Sequence, residues 1–229
     1  MLYEIDERPE IFATVLTARG DYFSAGADVK AARGEGGTAA EIRAFALRRL
    51  SEQNLELGRA LYHHSKLLIA ALNGPAIGLS AAILGHFDFV YAMETAWILT
   101  PFSTLALVAE GGASLTFPRR MGISKANEVL IMGKKAGAAE LQACGFFNKL
   151  FPKSSDVEFI QTVVKYLHAE FDQNDREAMM ISKQLIKDTL ADPDASNIRE
   201  VFAGATRAAT GKPAAEFSKM AAKTKRHKL

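Results

Sequence analysis

An α/β fold is the architecture this sequence predicts, and three observations predict it. Short aliphatic runs have strand character, glycine- and alanine-rich turns follow two of them, and stretches of helical periodicity lie between and after. The clearest runs are residues 11–17 and residues 66–72 (KLLIAAL); the second is apolar at nearly every position, as a strand covered on both faces is. With 229 residues, 48% of them hydrophobic, the chain is long enough for one sizeable core and an appended region. We expect a spiral core over residues 1–150 and a helical region over residues 151–229.

Taken in order, residues 1–9 are polar and carry no expected element, and the strand at 11–17 opens the core. Residues 33–38 (RGEGGT) follow no nearby strand and lack phosphate-binding spacing, so they read as a loop. Thr38 is placed to cap a long helix reaching about residue 62, on which Ile42, Phe45, Ala46, Leu50, Leu57 and Leu61 fall near helical spacing. Asn54 is a candidate inward amide on that helix, able to orient a water or a carboxyl; an exposed or packing asparagine is its other reading. His63 and His64 close it and read as capping or surface residues. After the strand at 66–72, the turn Asn73-Gly74-Pro75 leads into a helix starting at Gly78. A helix start has N–H groups without partners and partial positive charge, which suits an oxygen becoming negative; a plain strand-to-helix turn is the alternative. Strands follow at 87–92 and 96–99 with a turn at 93–95, then a loop at 101–104 and a mostly apolar run ending in Glu110-Gly111-Gly112. Helices at 124–132 and 138–144, a short strand at 146–150 and amphipathic helices from about residue 155 complete the chain. The breaks between those last helices are expected at 172–175, 192–194 and 210–213.

Composition excludes several classes. The net charge of +2 carries no concentrated basic face of the kind nucleic acid needs, and the basic run Lys219, Lys223, Lys225, Arg226 and Lys228 reads as a solvated helix face, a phosphate site being its other reading. Cys144 is the only cysteine, so no intrachain disulfide forms and a reducing compartment is implied. No apolar run is long enough to span a bilayer. No metal is expected, because one cysteine and five scattered histidines lack ligand spacing. A serine hydrolase is disfavoured because the chain has no G-x-S-x-G elbow; Tyr22 stands where glycine belongs before Ser24.

The two small-residue turns, FSAGAD with Lys30 and NGPAIGLSAA, resemble the paired motifs of the crotonase (enoyl-CoA hydratase/isomerase) superfamily, from about residue 11 to the C-terminus. The resemblance implies a crotonase-like ββα spiral with a C-terminal helical trimerisation region, here lacking the family's first strands. It also implies an acyl-CoA substrate, an oxyanion hole made by the N–H groups of Ala27 and Leu79, and a homotrimer or dimer of trimers. Contacts to the substrate are expected from Ser24, Ala25, Gly26, Asp28, Lys30, Gly78, Asn54 and Phe102. Removing a proton beside a thioester needs a base as well as a stabilised oxygen. Between Lys66 and Arg120 the acids are Asp88, in a phenylalanine-rich strand, Glu94, in a surface turn, and Glu110. Glu110 has apolar neighbours before it and glycines after it that leave room for substrate; capping of the following helix is its other reading. The two glutamates of crotonase hydratases align with Ala82 and Phe102, which cannot exchange protons. Glu110 matches instead the single glutamate of the Δ3,Δ2-enoyl-CoA isomerase branch, fungal peroxisomal members especially. No cofactor is then expected, CoA being part of the substrate. The terminal His227-Lys228-Leu229 resembles a peroxisomal address read by an import receptor. A dienoyl-CoA isomerase, another crotonase acting on a CoA ester, and a non-catalytic acyl-CoA-binding subunit remain the alternatives.

Overall fold

The computed structural model describes residues 1–28 and 37–226. Lys30, most of the RGEGGT stretch and His227-Lys228-Leu229 lie outside the described residues.

Four parallel strands form the main sheet: β1 (Ala13–Leu16), β2 (Leu67–Leu72), β4 (Phe89–Met93) and β7 (Lys149–Phe151), in the order β1-β2-β4-β7. β2 is buried at all six positions because both its faces are covered. Leu68, Ala70 and Leu72 point into one core with Val90, Phe102, Phe117, Phe146 and Phe147. Ile69 and Ala71 point into a second, beneath Phe159, Val163 and Leu167 of helix α7 (Asp156–Phe171). Each fully buried Leu, Ile or Phe contributes about 1.5–3 kcal/mol relative to exposure, so this strand anchors the molecule.

A second, smaller sheet is built from β3 (Ala76–Ile77), β5 (Trp97–Leu99) and β6 (Ala136–Gly137), with β3 parallel and β6 antiparallel to β5. β3 and β6 are two residues each, too short for periodicity to reveal. The strands expected at 87–92 and 96–99 both form, but as members of different sheets. The final strand begins at Lys149; Phe146 and Phe147 precede it as buried core residues.

The helix expected from Thr38 is capped there by a reciprocal Thr38–Glu41 box. It is not one helix: α2 (Ala39–Leu50) passes through a π-helical turn (Ser51–Leu55) into α3 (Glu56–Tyr62). Residues 1–9 also differ from expectation, since α1 (Leu2–Asp6) forms and its Asp6 accepts from the Ser65 N–H. His64 is buried, with Asp6 Oδ1 2.7 Å from Nδ1 and Thr14 Oγ1 2.8 Å from Nε2, not a surface residue.

After β3 come α4 (Leu79–Ala82) and, beyond β5, α5 (Ala113–Leu130), which kinks at Gly122, then α6 (Ala138–Ala143). Past α7 lie α8 (Arg176–Asp188), α9 (Asp194–Ala208) and α10 (Lys212–Ala221), separated where the sequence predicts. α9 packs on α2 and the π turn, so it walls the site. No described helix is long and apolar enough to cross a membrane.

Candidate active site

Two chain crossings bring the small-residue turns together. Asn73 Nδ2 donates to the Gly20 carbonyl at 2.6 Å, and a Cβ at Gly74 would fall 2.0 Å from the Asp21 carbonyl oxygen, so only glycine lets these segments touch. Ser24 then pairs with Ala76 in a parallel bridge: its N–H donates to Pro75 O at 3.1 Å and its carbonyl accepts from Ile77 N–H at 3.0 Å. Ser24 Oγ lies 2.8 Å from Ser80 Oγ and accepts from the Gly26 N–H, so this side chain holds one turn to the other.

At the end of β3, Gly78 adopts φ +68°, ψ −134° and donates its N–H to Leu99 O at 2.8 Å. That backbone, closed to other residues, swings the chain into α4 so that Leu79 is its first residue. No hydrogen bond among the described residues uses the N–H of Ala27 or of Leu79. Both residues line one cavity of about 520 Å³, together with Ala25, Gly26, Gly78, Phe102 and Glu110. Ser24 and Asp28 do not line it.

Glu110 is half-buried and lines the same cavity. Gly111 follows it at φ +67°, and a Cβ there would come within 2.8 Å of the Leu79 side chain, so the Glu110 loop lies directly on α4. Asn54, 4% exposed, is turned inward by the π turn and donates from Nδ2 to Glu110 Oε2 at 2.9 Å. π turns are rare and recur at functional sites, and here the turn re-aims one amide toward the cavity. Asp88 and Glu94 are engaged elsewhere: Asp88 Oδ2 accepts from Leu68 N–H and pairs with Lys183, and Glu94 accepts from Lys153 N–H.

Three functional neighbours were missed from sequence. The N-terminus of α5 is capped by Glu200 of α9, not by Glu110: its two oxygens accept from Gly112 N–H at 2.7 Å and Ser114 N–H at 2.9 Å. Asn197, one turn earlier on α9, sits against the π turn. His86 Nε2–H donates to the Gly111 carbonyl at 2.8 Å, and burial pushes the imidazole pKa down to about 4, so the ring is neutral near pH 7. Asn197, Glu200, Val201, Gly204 and Ala208 recur at helical spacing on the cavity side of α9. Polar residues on that otherwise apolar stripe were the available signal.

Lys225 pairs with Glu216 and donates to the Thr104 carbonyl, so part of the basic run is packed against the protein and not simply solvated. His63, Asp192 and Asp194 approach one another at the surface, where the Arg59 guanidinium, 3.2 Å from Asp194, already supplies positive charge.

The family model described as enoyl-CoA hydratase/isomerase matches residues 1–201. A Delta(3,5)-Delta(2,4)-dienoyl-CoA isomerase of Pyricularia oryzae is 41% identical over 99% of this chain and 89% of its own length. The 3,2-trans-enoyl-CoA isomerase of Saccharomyces cerevisiae is 29% identical over 98% of this chain and 83% of its own. Among solved structures, an enoyl-CoA hydratase/isomerase from Pseudoalteromonas atlantica T6c superposes with a TM-score of 0.79 at 26% identity. It covers the whole of this chain and 86% of that one.

Proposed function

The chain belongs to the enoyl-CoA hydratase/isomerase family, and from that premise we propose that it moves the double bond of a 3-enoyl-CoA into conjugation with the thioester. The Asn54–Glu110 hydrogen bond, in a cavity that Ala27 and Leu79 also line, is the observation that carries this reading. Glu110 takes a proton from C2, and the electron pair spreads through C1 onto the thioester oxygen and through the C3–C4 double bond onto C4. The Ala27 and Leu79 N–H groups stabilise that oxygen, each worth about 2.7–4 kcal/mol by analogy with other oxyanion donors. Glu110 then returns the proton at C4, leaving the double bond between C2 and C3. One carboxylate suffices because C2 and C4 lie on the same side of a short allylic unit. The step as written consumes no cofactor, and CoA leaves as part of the product.

Hydration needs two groups that split water. Phe102 lines the cavity, and Ala82 is fully buried beside Gly111; neither side chain can exchange a proton, so neither provides one. A second reading, dienoyl isomerisation, is favoured by the full-length likeness to the Pyricularia oryzae protein. There the proton must travel from C2 to C6, beyond the reach of one fixed carboxylate. The other carboxylate lining the cavity among the described residues, Glu200, is committed to the Gly112 and Ser114 amides. The monoenoyl reaction therefore fits the site better.

Purified protein incubated with 3-hexenoyl-CoA should form 2-hexenoyl-CoA, with no 3-hydroxyacyl-CoA appearing. Glu110→Gln should lower kcat about 10²- to 10⁴-fold, the usual worth of a positioned acid–base group. Turnover of 3,5-octadienoyl-CoA in preference to 3-hexenoyl-CoA would decide for the second reading, and hydration would sink both. The peroxisomal assignment is supported by His227-Lys228-Leu229, and a trimer or dimer of trimers by the apolar surface on α8 and α9.

A further inference from the structure

We propose that Asn197 on α9 is a positioning residue that fixes where Asn54 meets Glu110; the assignment rests on the isomerase reading above. A π turn closes on i→i+5 hydrogen bonds, which shifts some main-chain carbonyls off the α-helical ladder and leaves them needing donors from elsewhere. The Asn197 side chain is a donor placed at the end of this turn. Its Nδ2 lies 3.3 Å from the Asn54 carbonyl oxygen and 3.5 Å from that of Leu55. Asn197 is 1% exposed and reaches these atoms only because residue 58 is glycine, where a Cβ would fall 2.5 Å from Nδ2. Its Oδ1 is buried and has no hydrogen-bond partner among the described residues. Reversing the amide would aim that oxygen at two carbonyl oxygens, so the donor contacts set its orientation.

One turn further along α9, Glu200 accepts from the N–H groups of Gly112 and Ser114, just beyond Glu110. A single helix face thus holds both halves of the site: Asn197 secures the turn bearing Asn54, and Glu200 secures the loop bearing Glu110. The 2.9 Å contact between Asn54 and Glu110 is referred to one rigid element. Misplacement by about 1 Å is enough to cost a reaction up to about 100-fold.

The test is steady-state kinetics on 3-hexenoyl-CoA for the whole chain, Asn54→Ala, Asn197→Ala, Asn197→Leu and the double variant Asn54→Ala/Asn197→Ala. Asn197→Ala should lower kcat about 10-fold with KM nearly unchanged. In the Asn54→Ala background the same change should cost less than about twofold, since the residue it acts through is gone. Asn197→Leu fills the volume without a donor and should lose as much as Asn197→Ala. Wild-type kcat in Asn197→Leu, equal losses in both backgrounds, or a raised KM at unchanged kcat would assign Asn197 to packing and overturn the proposal. Amide hydrogen exchange over residues 50–58 gives a readout independent of turnover. It should rise in both Asn197 variants while residues 67–72 stay protected, and unchanged exchange would overturn the proposal too. A wild-type protein that isomerises no enoyl-CoA would defeat the reaction assigned above, while the exchange result still decides whether Asn197 holds the turn.

Discussion

His86 is 7% exposed, and its neutral ring holds the Gly111 carbonyl while its Nδ1 has no partner among the described residues. Burial lowers its pKa from 6.5 to about 4. The unfolded chain therefore binds a proton that the folded chain refuses as pH falls from 6.5 to 4, and stability drops across that window. Linkage sets the size at about 3 kcal/mol, and above pH 6.5 the contribution is constant. Urea denaturation at pH 7 and at pH 4.5 should show this loss in the wild type. In His86→Gln the pH slope should be shallower by about one proton, whatever that variant's absolute stability. An equal slope would mean that the ring is protonated in the folded state. His64, buried beside Asp6, has its pKa lowered by the same cause and adds its own acid sensitivity to both proteins. At this scale the place of Glu110 in the cavity was legible from sequence, because the competing acids Asp88 and Glu94 belong to a strand edge and a turn. Asn54 was a candidate inward amide from sequence, but the choice between that and an exposed asparagine rested on a π turn that no spacing rule encodes.

Among the elements, the passage from β3 into α4 carries the proposed oxyanion donor and depends on one backbone conformation. A Cβ at Gly78 would meet nothing within 4 Å, so a substitution there is penalised through φ alone. Gly78→Ala should destabilise the protein by about 1–3 kcal/mol, the usual range for a residue forced into a sparsely populated region. It should also lower kcat by tilting the Leu79 N–H away from the substrate oxygen. Chemical denaturation and kinetics on the same sample check both; an unaffected Tm with full activity would mean that the turn relaxes freely. Most elements were readable from period and punctuation, including the breaks between α7, α8, α9 and α10. The two-residue strands β3 and β6 were not, because they exist through pairing to β5 and not through local preference.

At the scale of the whole molecule, α8 has no buried residue. It is held by lysines: Lys183 pairs with Asp88 at 2.7 Å and donates to the carbonyls of His64 and Lys66, and Lys187 donates to that of Tyr62. Ile181, Leu185 and Ile186 are left 54%, 61% and 63% exposed on this helix, and Phe202 on α9 is 49% exposed. Exposed apolar side chains of this size are what the proposed subunit interface would cover. Sedimentation equilibrium should give a mass of three chains or a multiple of three, and Leu185→Glu together with Ile186→Glu should shift it toward the monomer. A monomeric wild type at micromolar concentration would remove the trimer from the proposal.

What the sequence determined by itself was whatever rests on neighbours along the chain. It specified the apolar β2, the capping box at Thr38, the small-residue turns, and the solitary acid before two glycines. Tertiary structure decided the rest: that α9 returns across more than eighty residues to cap the Glu110 loop and brace the π turn. Such contacts have no local signature, because the hydrogen-bonding needs they meet arise only once distant segments of the chain have packed together.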